Sequence, residues 1–167
     1  MIQDPASEAF YKHRQIGWPI IGVMGSVLIA LGCVAIVVFL RAAHPTSDLM
    51  KGLFFTFVPG FVLGVAVLVL FASLTVVIKE DLIEIRFGTG IIRKRFRFAD
   101  IQECKSVRNS WLVGWGIRWF PGCWVFNVSG SDAVELLMKN GNRYRIGTDE
   151  PEKLREVIQH KLTGDAH

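Results

Sequence analysis

The sequence predicts an α+β membrane protein: a two-helix transmembrane hairpin followed by a seven-stranded β domain that a C-terminal α-helix closes. Three observations predict it. Residues 17–40 and 52–78 contain no charged side chain. The chain beyond them alternates short β-branched and aromatic runs with turn residues, and the last segment switches to helical spacing. A hydrophobic share of 51% and a mean hydropathy of +0.36 over 167 residues exceed what one soluble core of this size needs. The excess lies in the two uncharged stretches, so two compartments are implied.

The boundaries read as an N-terminal segment 1–17, the hairpin 18–72 and the β domain 73–167. A helix needs about 20 apolar residues to span a hydrocarbon core, and residues 18–40 supply 23 without a charge. That run also exceeds the apolar core of a cleaved signal, and only Arg41-Ala42-Ala43 resembles a cleavage site. Small residues recur in the first helix (Gly22, Gly25, Ser26, Ala30, Gly32), and Gly60 and Gly64 form a small-xxx-small pair in the second. Such positions let helices approach closely in lipid; a raised glycine background of membrane helices explains them equally well. The uncharged run 52–78 is too long for one span. It divides into a helix at 53–72 and a β-branched strand from Leu74, which sets the β domain hard against the bilayer. Residues 44–48 form the connecting turn. Lys12, Arg14 and the cluster at 93–97 outweigh Arg41 and Lys51, so both termini and the domain are expected in the cytoplasm, with the hairpin in the cell inner membrane.

Seven strands are expected at 74–79, 82–87, 91–98, 101–107, 123–128, 134–138 and 143–146. Glu80-Asp81, Gly88-Thr89-Gly90 and Lys139-Asn140-Gly141-Asn142 supply turns, the last because Asn and Gly tolerate positive φ. Alternation in the third strand sets Arg93, Arg95 and Arg97 on one face and Ile92, Phe96 and Phe98 on the other, with Lys94 a misfit at the rim of the apolar face. Asp149 and Glu152 read as a capping box around Pro151, and Leu154, Val157, Ile158 and Leu162 form one helical stripe.

The segments Gly114-Trp115-Gly116-Ile117-Arg118, Trp124-Val125-Phe126-Asn127-Val128-Ser129-Gly130 and Ile146-Gly147-Thr148-Asp149-Glu150-Pro151-Glu152-Lys153-Leu154 resemble the bacterial membrane proteins that join two transmembrane helices to a bacterial pleckstrin-homology (PH) domain. The resemblance covers nearly the whole chain. It implies a PH-like domain, and it brings no catalytic residue and no defined ligand, since PH-like folds host many roles.

Charge points to lipid. Between Arg86 and Arg118 eight basic residues (Arg86, Arg93, Lys94, Arg95, Arg97, Lys105, Arg108, Arg118) face Asp100 and Glu103, which gives 8 − 2 = +6. The basic strand Arg93, Lys94, Arg95, Arg97 is a candidate for anionic headgroups, against the plain alternative of a solvated strand face. Trp111, Trp115, Trp119 and Trp124 crowd the loop 109–122 and its edge, and indole rings favour the membrane interface. Trp111, Trp115 and Arg118 are therefore further candidates for lipid or partner binding, and Trp124 is expected to pack in the β core, less exposed than Trp111 or Trp115.

The sequence carries no metal-ligand spacing, no phosphate loop and no nucleophile beside a base, so neither an enzyme nor a cofactor is expected. Three cysteines, one of them mid-helix, make no disulfide framework and fit a reducing compartment. The function expected is a membrane-anchored module that binds anionic membrane lipids or a membrane protein partner. The alternative is a subunit of an oligomeric complex, a homo-oligomer included, that transports or regulates a transporter; the lack of charge within either span speaks against it. Nucleic acid is a poor partner for a tethered domain of net charge +4.

Overall fold

A computed structural model describes residues 10–42, 46–110 and 114–164, with Ser47 described by its backbone alone. The chain runs β1 (Tyr11–Ile16), α1 (Trp18–Arg41), α2 (Ser47–Phe71), β2 (Ser73–Ile78), β3 (Leu82–Phe87), β4 (Ile92–Arg97), β5 (Ile101–Arg108), β6 (Gly116–Phe120), β7 (Cys123–Asn127), β8 (Asp132–Met138), β9 (Arg143–Gly147) and α3 (Pro151–Gly164). It is an α+β chain: two long apolar helices, two sheets and a closing helix.

The described residues form nine strands, not seven. β1–β4 make an antiparallel sheet in that order; the second sheet has the order β5-β8-β9-β7-β6, with β7 and β9 parallel. The first added strand lies in the supposed N-terminal segment. Its inward residues are Tyr11, His13 and Gln15, so no apolar alternation marks it. All three make a polar contact across the fold, although the Gln15 Oε1 is buried without a partner. The Tyr11 hydroxyl donates to Glu150 (3.3 Å), His13 Nε2 lies 2.5 Å from Asp149, and Gln15 donates to the Ser129 carbonyl (3.1 Å). The second, β6, falls in the stretch taken as a loop. A Pro121-Gly122 turn, with Gly122 at φ +77, folds it back on β7 with Phe120 opposite Cys123.

Helix α2 starts at Ser47, not at residue 53, because Thr46 caps it by accepting from the Leu49 amide (3.3 Å). Ser47 and Asp48, expected in the turn, are therefore helical, while His44 and Pro45 lie outside the described residues. α1 and α2 are long and apolar enough to cross a membrane. Their surface is open on nearly every side, with Leu40, Phe55 and Ile29 about 70% exposed. An apolar surface of that extent is not stable in water without a cover.

The helix hairpin and the sheet are one continuous structure. β1 runs into α1 through Gly17 alone, α2 runs into β2 through Ala72 alone, and the Gly17 amide donates to the Ala72 carbonyl (2.8 Å) just above the Ile16–Ser73 pair. The helices thus extend an antiparallel strand pair, and β1 and β2 leave the hairpin on the same side. The β3–β4 turn is pressed on the end of α2, since a Cβ at Gly88 would lie 2.1 Å from the Val69 carbonyl oxygen.

Between the sheets lies one apolar core built on Leu74, Ile83, Ile85, Phe87, Phe96, Val134, Leu136 and Ile146, which Leu154 and Ile158 of α3 close. Each of the last two is fully buried and contributes about 1.5–3 kcal/mol. The expected capping box does not form: Asp149 is held by His13, and the Thr148 hydroxyl accepts from the Glu150 amide (3.1 Å).

Candidate site at the helix–domain junction

Where the helix bases meet β6, a crevice of about 640 Å3 opens. Ile20, Val23 and Met24 of α1 with Val67 and Phe71 of α2 form its apolar wall, and residues Gly114 to Arg118 form the other. Two glycines shape that second wall, with φ +66 at Gly114 and +99 at Gly116. Backbone of this hand is costly for a residue with a Cβ. The fold it permits lays Arg118 back over the turn: its Nε donates to the Trp115 carbonyl (3.2 Å), and a Cβ at Gly114 would meet its Cζ at 3.4 Å. Asn127, buried to 2% exposure, ties the start of the segment to the β7–β8 turn by donating to the Gly114 carbonyl (3.5 Å) and to the Gly130 carbonyl (3.0 Å). Trp115 and Arg118, both expected site residues, are thus brought together at one rim. Trp111 lies outside the described residues.

The basic strand divides into three environments. Arg95 and Arg86 both turn to Glu84, at 3.6 and 3.0 Å. Glu84 is buried, and the hydrogen bond from Arg86, reinforced by the charges of Arg86, Arg95 and Lys79, holds its carboxyl below the usual range against the opposing effect of burial. Arg93 donates to the Gly90 carbonyl, and Lys94 stands with its ammonium 5.6 Å from the centre of the Tyr144 ring. Lys94 is exposed at the rim of the apolar face, where the sequence set it. Arg97 sits beside Asp81 and Lys139 at the far end of β4. Among the described residues no carboxylate lies within ion-pair distance of Arg93, Lys94, Arg97 or Arg118.

These cations do not share one level. Arg93 pairs across the sheet with Arg86 next to the Gly88 turn that touches α2, whereas Arg97 is four residues further on. At about 3.3 Å per residue that is about 13 Å along the strand. The expectation for Trp124 is corrected: it faces the same way as Phe126, yet it is 43% exposed, against 40% for Trp115. The sheets part at that point and leave its ring at the edge of a second cavity.

The crevice residues Ile20, Met24, Phe71 and Ile117 escaped the sequence reading. The Gly114-Trp115-Gly116 spacing is the local signal that could have marked the fold-back. Cys104 and Cys123 carry thiols that burial pushes up, which disfavours thiolate chemistry. Among the described residues no three His, Cys, Asp or Glu side chains converge as a metal site. No protein-family model, curated protein or solved structure matches the chain.

Proposed function

We propose that this chain is a non-enzymatic, membrane-anchored module whose β domain is held against the bilayer to bind anionic lipid at the helix–domain junction. The helices span the cytoplasmic membrane, and both termini and the domain lie on the cytoplasmic side. The observation that carries the reading is the junction itself. With single residues joining β1 to α1 and α2 to β2, the crevice, Trp115, Arg118 and the Arg86–Arg93 pair stand beside the helix ends. Trp18, 68% exposed at the first turn of α1, belongs at the same interfacial level.

Each basic residue near an anionic surface contributes about 1 kcal/mol. Arg93, Lys94 and Arg118 count in full, and Arg86 with Arg95 counts once, because Glu84 neutralises one charge of the two. That gives about 4 kcal/mol, the order of a thousandfold preference for acidic lipid. Arg97 adds little, since its separation along the strand exceeds a Debye length of about 8 Å. Membership of the bacterial PH-domain membrane proteins belongs to the same proposal, with the helix hairpin, the sheets and the closing helix in its support.

Native mass spectrometry of the full chain released from bilayers of mixed composition tests the reading. Acidic phospholipid is retained over zwitterionic lipid, and Arg118→Gln with Arg93→Gln removes about 2 kcal/mol and lowers the selection roughly thirtyfold. Equal retention of both lipids by the unaltered chain sinks the proposal. The oligomeric reading draws on one observation: Gly22, Gly25, Gly32, Gly52 and Gly60 have nothing packed on them. Crosslinking in native membranes that traps only monomer removes it.

A further inference from the structure

The two sheets do not close on each other at one seam. β4 ends the first sheet and β6 ends the second, and among the described residues neither edge has a further strand bonded to it. In this seam lies a second cavity of about 360 Å3, walled by Phe87 and Ile92 on one side and by Ile117, Trp124, Phe126 and Tyr144 on the other, with Arg93 and Lys94 at its mouth. Ile117 lines both this cavity and the junction crevice. Aromatic contacts continue the path: Phe71 of the crevice meets Phe87 at 5.5 Å between ring centres, Phe87 meets Phe126 at 6.3 Å, and Phe126 meets Tyr144 at 6.4 Å. Ile117 gives the two cavities a common apolar wall, a track from the helix surface to two cations that have no carboxylate partner among the described residues.

We propose that this seam holds one acidic phospholipid drawn partly out of the bilayer, with its headgroup on Arg93 and Lys94 and one acyl chain lying along the track back to the crevice. The inference rests on the reading that the crevice faces lipid. Three features select this occupant. The wall is apolar and aromatic, the chemistry of an acyl chain. Among the described residues the charges at the mouth are positive, so the head is acidic. The track is continuous with the helices, so the ligand arrives from the membrane, tail toward the bilayer and head toward water. Volumes of about 360 and 640 Å3 are ordinary for small-molecule sites, commonly about 300–1,000 Å3. Because no backbone hydrogen bonds tie β4 to β6, the seam can widen without breaking a ladder.

The test uses the full chain in nanodiscs, in two single-tryptophan forms that keep either Trp124 or Trp115, with phospholipids brominated along the acyl chain. Brominated acidic lipid quenches Trp124 more than brominated zwitterionic lipid does. That excess is lost when Ile92→Phe fills the cavity and when Arg93→Gln and Lys94→Gln empty the mouth of charge, while Trp115 stays quenched throughout. If Ile92→Phe fails to fold, the charge variants alone decide. Quenching of Trp115 without Trp124 overturns the seam and leaves the crevice standing; quenching of neither overturns both. Trp124 quenching that survives Ile92→Phe or the charge variants reports surface contact and also overturns the seam.

Discussion

Replacing Gly88 by Ala tests whether the β domain is locked to the helix hairpin. A Cβ at residue 88 would lie 2.1 Å from the Val69 carbonyl oxygen and 2.6 Å from that of Leu70, where ordinary contact begins at 3.4 Å. The obstructing atoms are backbone of α2, so the turn itself must retreat by more than 1 Å (3.4 − 2.1 = 1.3). Residue 88 also has φ +48, a hand that costs an L residue about 1–2 kcal/mol. Overpacking of this kind adds about 1–3 kcal/mol, and the two together give a loss of about 2–5 kcal/mol. Gly90→Ala is the control, because φ is +84 there but the nearest atom is the Arg86 side chain at 3.8 Å, which leaves the backbone cost alone. Denaturant unfolding of the full chain in micelles measures both variants, and amide exchange locates the damage at the Gly88 amide, which donates to the Ser73 carbonyl (2.8 Å). If Gly88→Ala is no more destabilising than Gly90→Ala, the tight junction is wrong.

Acid unfolding of the β domain carries a contribution from Glu84, whose carboxyl is held below its ordinary value by Arg86 and Arg95. A depressed carboxylate stabilises the fold above its unfolded value near pH 4.3 and loses that contribution as pH falls through the folded value. Glu84→Gln is expected to cost about 1–3 kcal/mol at neutral pH and to flatten the stability profile below about pH 4; an unchanged acid limb in a pH titration of unfolding contradicts this. Gly22→Ala, Gly25→Ala and Gly60→Ala each enter open space, so stability shifts by no more than about 0.5 kcal/mol. A loss of several kcal/mol on unfolding in micelles reveals a contact between copies. Deleting residues 1–16 removes β1 and uncovers the whole edge of β2; the chain then loses cooperative unfolding, whereas a dispensable tail leaves the midpoint where it was.

The sequence exposed those parts of the fold in which one face is apolar and the other polar. The two long apolar helices are visible because no charge interrupts them, and β2–β4 and β8–β9 because β-branched or alternating runs bounded by turn residues mark them. β1 is invisible for the opposite reason: Tyr11, His13 and Gln15 point inward, and each makes its polar contact with a residue more than 100 positions away. β6 is hidden by glycines that a loop would carry equally well. At the site, Trp115 and Arg118 lie four positions or fewer apart and were legible together, but the fate of Arg95 was not. Whether it is an open cation or the neighbour of a buried Glu84 depends on the register that sets Glu84 against Arg95. The crevice needs the packing of α1 and α2 against β6, contacts that no local pattern encodes.

The depth of spin labels on the full chain in acidic bilayers tests the central claim most directly. Ile91→Cys labels the β3–β4 turn, where Ile91 is 76% exposed beside the end of α2, and Glu80→Cys labels the β2–β3 turn at the opposite end of the same strands, with the three native cysteines replaced. A domain held against the membrane gives a label at residue 91 that lipid-soluble oxygen relaxes and an aqueous reagent does not, and a label at residue 80 with the reverse behaviour. Two labels equally open to the aqueous reagent would contradict the account.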